Sequence, residues 1–124
     1  MLPMCDADSF LHVGNGWHIQ APNVWESDSV ACNLKYGDPA RQPYFGAGAG
    51  AVQALQRNLN YCYHTSLAVD GSYGSLTCAA VTRVQRLHGL TADGIYGPRT
   101  RSAMPWREYS FTLKRWSQRC YSPI

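Results

Sequence analysis

The stretches LAVDGSYGSLT (residues 67–77) and LTADGIYGPRT (residues 90–100) carry nearly the same message. The offset is 23 residues throughout: Leu67 matches Leu90, Asp70 matches Asp93, Gly71 matches Gly94, Tyr73 matches Tyr96, Gly74 matches Gly97 and Thr77 matches Thr100. Six identities in eleven positions at one spacing mark an internal repeat. Asp-Gly is a turn dipeptide, in which the carboxylate accepts from nearby backbone N–H groups and the glycine takes positive φ. The aromatic two residues on reads as a buried anchor, and the second glycine as a helix start. Pro98 after Gly97 occupies the first helical position, where its missing N–H is not needed. Thr77 and Thr100 then fall in the first turn, where a hydroxyl can satisfy an orphan donor. Val in place of Gly71 or Gly94 would force a β-branched residue into positive φ and unfold the turn.

Around the repeat the pattern is helical. Val52, Leu55 and Leu59 form one stripe over residues 51–61. Val81, Val84 and Leu87, with Ala80, form another over residues 75–88, and Gly89 stands where a helix end wants positive φ. A short third helix opens at Pro98 and stops before Pro105. Both Asp-Gly turns thus lie between helices.

With AVQALQRNL before the repeat and AAVTRVQRLHGL between its copies, residues 51–104 resemble a peptidoglycan-binding domain of the small three-helix type. The matching motifs are Leu55-Gln56, Val69 to Thr77, Val84-Gln85 and Asp93 to Thr100. The resemblance covers about 54 of 124 residues and departs from the family pattern mainly by carrying two cysteines. It implies a compact three-helix domain; with an irregular, short-strand N-terminal arm, a C-terminal tail and disulfide bonds read from the remaining residues, the whole is expected to be mainly α. It further implies a non-catalytic module that recognises cell-wall peptidoglycan.

The flanks read less sharply. Residues 1–45 form an aromatic arm with short extended patterns at Trp17–Gln20 and Val30–Leu34, broken by Gly14, Gly16, Pro22 and Pro39. Trp17, Trp25, Tyr36, Tyr44 and Phe45 are expected mostly to pack on the helices. Residues 46–50, GAGAG, read as a hinge. In the tail, residues 105–124, Trp106, Tyr109, Leu113 and Trp116 recur at helical spacing, whereas Tyr109, Phe111 and Leu113 alternate as in a strand. A strand pairing with the arm is one of the two readings.

Five cysteines in 124 residues, none in a Cys-x-x-Cys pair, fit neither a zinc ribbon nor a thioredoxin-type site. Disulfides in an oxidising compartment explain them, and a secreted chain whose signal peptide is removed is the expectation. The preferred pairs are Cys62–Cys78, contributing roughly 3 kcal/mol in the chain-entropy model, and Cys32–Cys120, with Cys5 left over. Cys5–Cys32 ranks close behind. No run of eighteen apolar residues spans a membrane. Charge is uneven: residues 1–50 carry a net −3, and residues 51–124, with nine basic and three acidic side chains, a net +6.

Catalytic chemistry has little to stand on. The Cys62-x-His64 pair reads as a disulfide cysteine beside a surface histidine. His12 and His18 lack a third ligand at zinc spacing, Asp70 and Asp93 have turn work to do, and no cofactor motif is present. No catalytic or metal site is expected. Binding remains, in a groove between helices where Gln56, Asn60, Arg83 and Gln85 orient a glycan or peptide stem and Tyr61 or Tyr63 gives apolar contact. The competing reading gives Gln56 and Gln85 to bracing the turns, and Tyr73 and Tyr96 to the core. At the level of function, the wall module is ranked first. The alternative is an adaptor that uses the same fold, the aromatic arm and the odd cysteine to hold protein partners in a secreted assembly. Nucleic-acid binding ranks third, since no reading motif accompanies the arginines.

Overall fold

A computed structural model describes residues 2–25, 27, 29–39 and 49–121. Its elements run β1 (Ala7–Gly14), β2 (Trp17–Asn23), α1 (Ala49–Tyr63), α2 (Ser75–Leu87), α3 (Pro98–Ala103), β3 (Trp106–Ser110) and β4 (Arg115–Tyr121). The four strands form one antiparallel sheet in the order β1-β2-β3-β4. This overturns the mainly α fold expected from the sequence. The arm and the tail are not flanks of a helical domain but two hairpins that pair with each other, Ile19 opposite Glu108 and Trp17 opposite Ser110.

The first hairpin turns where Gly14, Asn15 and Gly16 all take positive φ, a conformation that glycine and asparagine adopt at low cost. Alternation then sorts the side chains. Ile19 and Ala21 are fully buried. The opposite face of the sheet carries Phe10, His12, His18, Gln20, Tyr109 and Trp116, brought together by the pairs Phe10–Gln20, His12–His18, His18–Tyr109 and Tyr109–Trp116. One face of β1 mixes Asp8, Phe10 and His12 and the other Ser9, Leu11 and Val13, so neither face reads as cleanly polar or apolar, which is why no strand was legible there. The extended pattern at Val30–Leu34 makes only isolated bridges, Asn33 to Met4 and Leu34 to Tyr96.

The helix α1 is the hub. It buries Val52, Leu55 and Leu59 in the core. A second face, Asn58, Tyr61 and Cys62, follows the i, i+3, i+4 rule and docks on the C-terminal hairpin. Asn58 donates to the Pro105 carbonyl at 3.1 Å and accepts from the Arg107 N–H at 3.0 Å. The Tyr61 hydroxyl donates to the Gln118 carbonyl at 2.8 Å. The helix already covers Ala49 and Gly50, so these two positions of the expected hinge are helical; residues 46–48 lie outside the described residues, as do Tyr44 and Phe45.

The helices α2 and α3 open at Ser75 and Pro98, where the two turns deliver them. At the end of α2, Gly89 has φ +70°, its N–H donates to the Arg86 carbonyl, and the Leu90 N–H reaches back to the Gln85 carbonyl. These paired bonds stop the helix. Leu87, expected to face the core, is 65 % exposed. Six residues beyond Val81, at about 100° per residue, it lies well round the helix from the buried stripe.

One hydrophobic core serves the whole molecule. It draws Cys5, Ile19, Ala21, Cys32 and Leu34 from the N-terminal half, Leu55, Leu59, Val81 and Val84 from the helices, Tyr73 and Tyr96 from the turns, and Trp106 from β3. The N-terminal segment also straps both turns. Leu34 and Tyr96 exchange two backbone hydrogen bonds of 2.8 Å, while Gly37 donates to the Tyr73 carbonyl and the Tyr73 N–H donates to the Asp38 carbonyl. Trp25 and Tyr36, expected to pack on the helices, stand out in solvent instead.

The disulfides join Cys5 to Cys32 and Cys62 to Cys120, leaving Cys78 as a thiol. Cys62–Cys78 and Cys32–Cys120, the preferred pairs from the sequence, do not form. The reason is directional: Cys62 lies on the face of α1 that meets β4. The Cys78 sulfur instead faces the second turn, 2.7 Å from where a Cβ on Gly94 would sit.

Candidate functional site

Each copy of the repeat is built round one buried glutamine amide. Gln56 Nε2 donates to Asp70 Oδ1 (3.2 Å), the Ser72 carbonyl (3.0 Å) and Thr77 Oγ1 (3.2 Å), while its Oε1 accepts from the Gly71 N–H (3.1 Å). Gln85 repeats the set with Asp93 Oδ1 (3.0 Å), the Ile95 carbonyl (2.9 Å), Thr100 Oγ1 (3.1 Å) and the Gly94 N–H (2.9 Å). Gly71 and Gly94 have φ +76° and +74°. Asp70 and Asp93 each accept the N–H two residues on, closing the turn. The hydrogen bonds from Ser72 and Gln56 hold the Asp70 carboxyl below its usual range. Thr77 and Thr100 accept from the glutamines and do not cap their helices, as the sequence had suggested.

Two anchors complete the turns. Tyr73 is buried and donates to the Gly94 carbonyl at 2.6 Å, tying the first turn to the second. Tyr96 is buried with its ring edge-on to Trp106 at 6.4 Å. Burial drives both phenols upward, Tyr73 with further help from nearby negative groups.

Of the six residues expected to line a groove, three are occupied by the fold. Gln56 and Gln85 are buried in the braces. Asn60 holds the loop after α1, donating to the Leu67 carbonyl and accepting from Thr65 Oγ1 and the Leu67 N–H. Tyr63 and Arg83 do meet, beside His88: Tyr63 Oη lies 2.7 Å from His88 Nε2, and Arg83 donates to the Tyr63 carbonyl at 3.4 Å. Burial pushes the Tyr63 phenol up to about 12. Tyr61 points elsewhere, to the sheet, with the Arg107 guanidinium 3.7 Å over its ring.

Two open clefts take in expected groove residues, Gln85 in one and Tyr61 in the other. One, about 660 Å³, runs along the second turn and is lined by Asn33, Leu90, Asp93, Ile95, Pro98 and Arg99, among others. The other, about 130 Å³, lies between α1 and the sheet. Sequence reading missed Asn33 and Arg107, which reach these clefts from segments whose pairing only the fold reveals. Glu108 lines a third cleft with Trp17, Arg115 and Arg119, and burial raises its carboxyl. Among the described residues no second carboxylate lines that cleft, and no group of three or more His, Cys, Asp or Glu is placed to hold a metal.

The repeat thus forms two glutamine-braced Asp-Gly turns on a small set of helices. Residues 48–104 match the family described as putative peptidoglycan binding domain. The chain is 59 % identical over 57 residues to the zinc D-Ala-D-Ala carboxypeptidase of Streptomyces albus G, covering 44 % of this chain and 22 % of that enzyme. It is 56 % identical over 36 residues to a probable N-acetylmuramoyl-L-alanine amidase of Bacillus licheniformis, covering 29 % of this chain and 10 % of that protein. An uncharacterized protein of Kitasatospora aureofaciens is 39 % identical over 67 residues, 53 % of this chain and 57 % of that one. The chain thus spans at most about a fifth of the length of these two enzymes. No solved structure matches it.

Proposed function

We propose that this chain is a non-catalytic module, acting outside the cell, that recognises bacterial cell-wall peptidoglycan. The observation that carries it is the family match of residues 48–104, with both braced turns complete. The enzymes it resembles share only a fraction of their length with it, which fits a shared wall-targeting part rather than a shared active site. Within the matched segment the second-turn cleft falls in the 300–1,000 Å³ range of small-ligand sites. There the Asp93 carboxylate offers an acceptor to a sugar hydroxyl or amide, and Arg99 a donor to a carboxylate. Two disulfides suit an oxidising compartment. No described helix is long and apolar enough to cross a membrane.

The adaptor reading has its own support in the exposed Trp25 and Tyr36 of the strap. Co-sedimentation of the oxidised protein with intact peptidoglycan sacculi, at low and moderate salt, separates the two. Saturable binding that survives moderate salt is the expected result, and Arg99→Gln should weaken it several-fold. No retention, or retention lost at modest salt, would favour protein partners.

A further inference from the structure

We propose that the cleft between α1 and the C-terminal hairpin is a second ligand site, specific for a carboxylate carried on a small sugar or aliphatic group. The inference rests on the wall-binding reading and names the chemical group that this part of the chain would hold. The site lies across the boundary of the matched family segment: Arg57, Asn58 and Tyr61 come from α1, while Gln20, Arg107 and Trp116 come from strands outside residues 48–104.

Arg107 is the centre of the argument. Its Nε donates to the Ser117 carbonyl at 2.8 Å, which fixes the guanidinium plane. Tyr61 lies 3.7 Å from its carbon on one side, and the Trp116 ring centroid lies 5.7 Å away. Its backbone is held by Asn58, and the Tyr61 ring by the hydrogen bond to Gln118. Among the described residues its Nη groups meet no carboxylate or carbonyl. A half-buried, oriented guanidinium whose Nη1/Nη2 edge is unused is what end-on bidentate recognition of a carboxylate requires. Arg57, exposed on the same wall, adds a second positive charge. Among the described residues no acidic side chain lines the cleft, and Gln20 turns its amide nitrogen to Asp8.

Size selects the ligand. About 130 Å³ holds a carboxylate and the few atoms next to it, not a whole disaccharide. The remainder of the ligand would lie over Trp116 and the aromatic face that continues through Tyr109, Phe10 and Phe111, whose rings stand 4.9 to 5.7 Å apart. Peptidoglycan offers this group from two sources, the lactyl carboxylate of its acidic sugar where the peptide stem has been removed, and the free carboxylate at the end of a stem.

The test is titration of the oxidised full chain with N-acetylmuramic acid in one arm and N-acetyl-D-alanyl-D-alanine in the other, followed by amide, indole and guanidinium NMR signals up to about 10 mM, above the Kd of about 1 mM expected of so small a probe. The expected result is a saturable shift of the Arg107 Nε–H and Trp116 indole signals with one probe, identifying the source. The matching methyl ester should give none. Arg107→Lys, which keeps the charge and loses the planar fork, should weaken binding about tenfold. Arg57→Gln, at an exposed position away from the packing, should weaken it a few-fold. Silence of both probes, or equal shifts with acid and ester, overturns the proposal without touching the wall reading. Sacculus co-sedimentation of the wild-type protein tests that reading separately.

Discussion

Gln56 and Gln85 show how much a single amide can hold. Each satisfies a buried glycine N–H, a backbone carbonyl, a carboxylate and a threonine hydroxyl. Gln85→Leu would keep the bulk and strand the Gly94 N–H without a partner. The expected cost is about 3 kcal/mol or more in chemical denaturation, since a buried unsatisfied donor retains its full desolvation penalty. Gly94→Ala combines strained φ with a clash against the Cys78 sulfur. It should lose about 1–3 kcal/mol, and Cys78→Ala added to it should recover part of that loss in a double-mutant cycle. Asp70 supplies the pH dependence. Its folded pKa is lowered, so its contribution is complete above the unfolded value of about 3.9 and is lost as pH falls through the folded one. The thermal midpoint of the wild type should therefore fall more steeply below about pH 4 than that of Asp70→Asn. Equal slopes would remove Asp70 from the account.

The elements explain why part of the fold was legible and part was not. The starts of α2 and α3 follow from Gly74, Gly97 and Pro98, and the end of α2 from Gly89; these are local signals, read within a few residues. The sheet is not local. In β1 both faces mix polar with apolar side chains, and β3 is only five residues long, so there was no clean period-two alternation to reveal the sheet. Disulfide partners were obscure for the same reason: Cys62 is 58 residues from Cys120, and only the docking of α1 on the hairpin brings them together. The candidate cleft suffers most, since Gln20, Arg57 and Arg107 belong to three elements. The docking itself can be tested at this scale. Cys62→Ala with Cys120→Ala should cost up to about 4 kcal/mol by the chain-entropy model and leave the Asn58 bonds to hold the interface. Asn58→Ala in that background should then release the hairpin, seen as accelerated amide exchange in β3 and β4. Protection unchanged from the wild type would mean that packing alone holds it.

Across the whole molecule the core of the matched segment continues beyond it. Ile19, Ala21, Cys32, Leu34 and Trp106 all belong to the single core and all lie outside residues 48–104. A fragment of residues 48–104 should expose Leu55, Val84 and both tyrosine anchors where these side chains covered them. Its thermal transition is expected to be broad and well below that of the full chain, measured by circular dichroism. A sharp transition at the same temperature would show that the strap and sheet are dispensable.

The pairing of Ile19 with Glu108 also sets a schedule. The hairpin of β1 and β2 can close as soon as it is made, yet one edge of β2 has no neighbour until residues 106–110 exist. Some eighty residues of chain separate the two, and long-range pairings of this kind make folding slow compared with a helical bundle of equal size. During that interval an apolar, hydrogen-bond-hungry strand edge is open to other chains. The newly made protein should therefore be most vulnerable to aggregation before its last strands emerge, and most dependent then on whatever shields unfinished sheets.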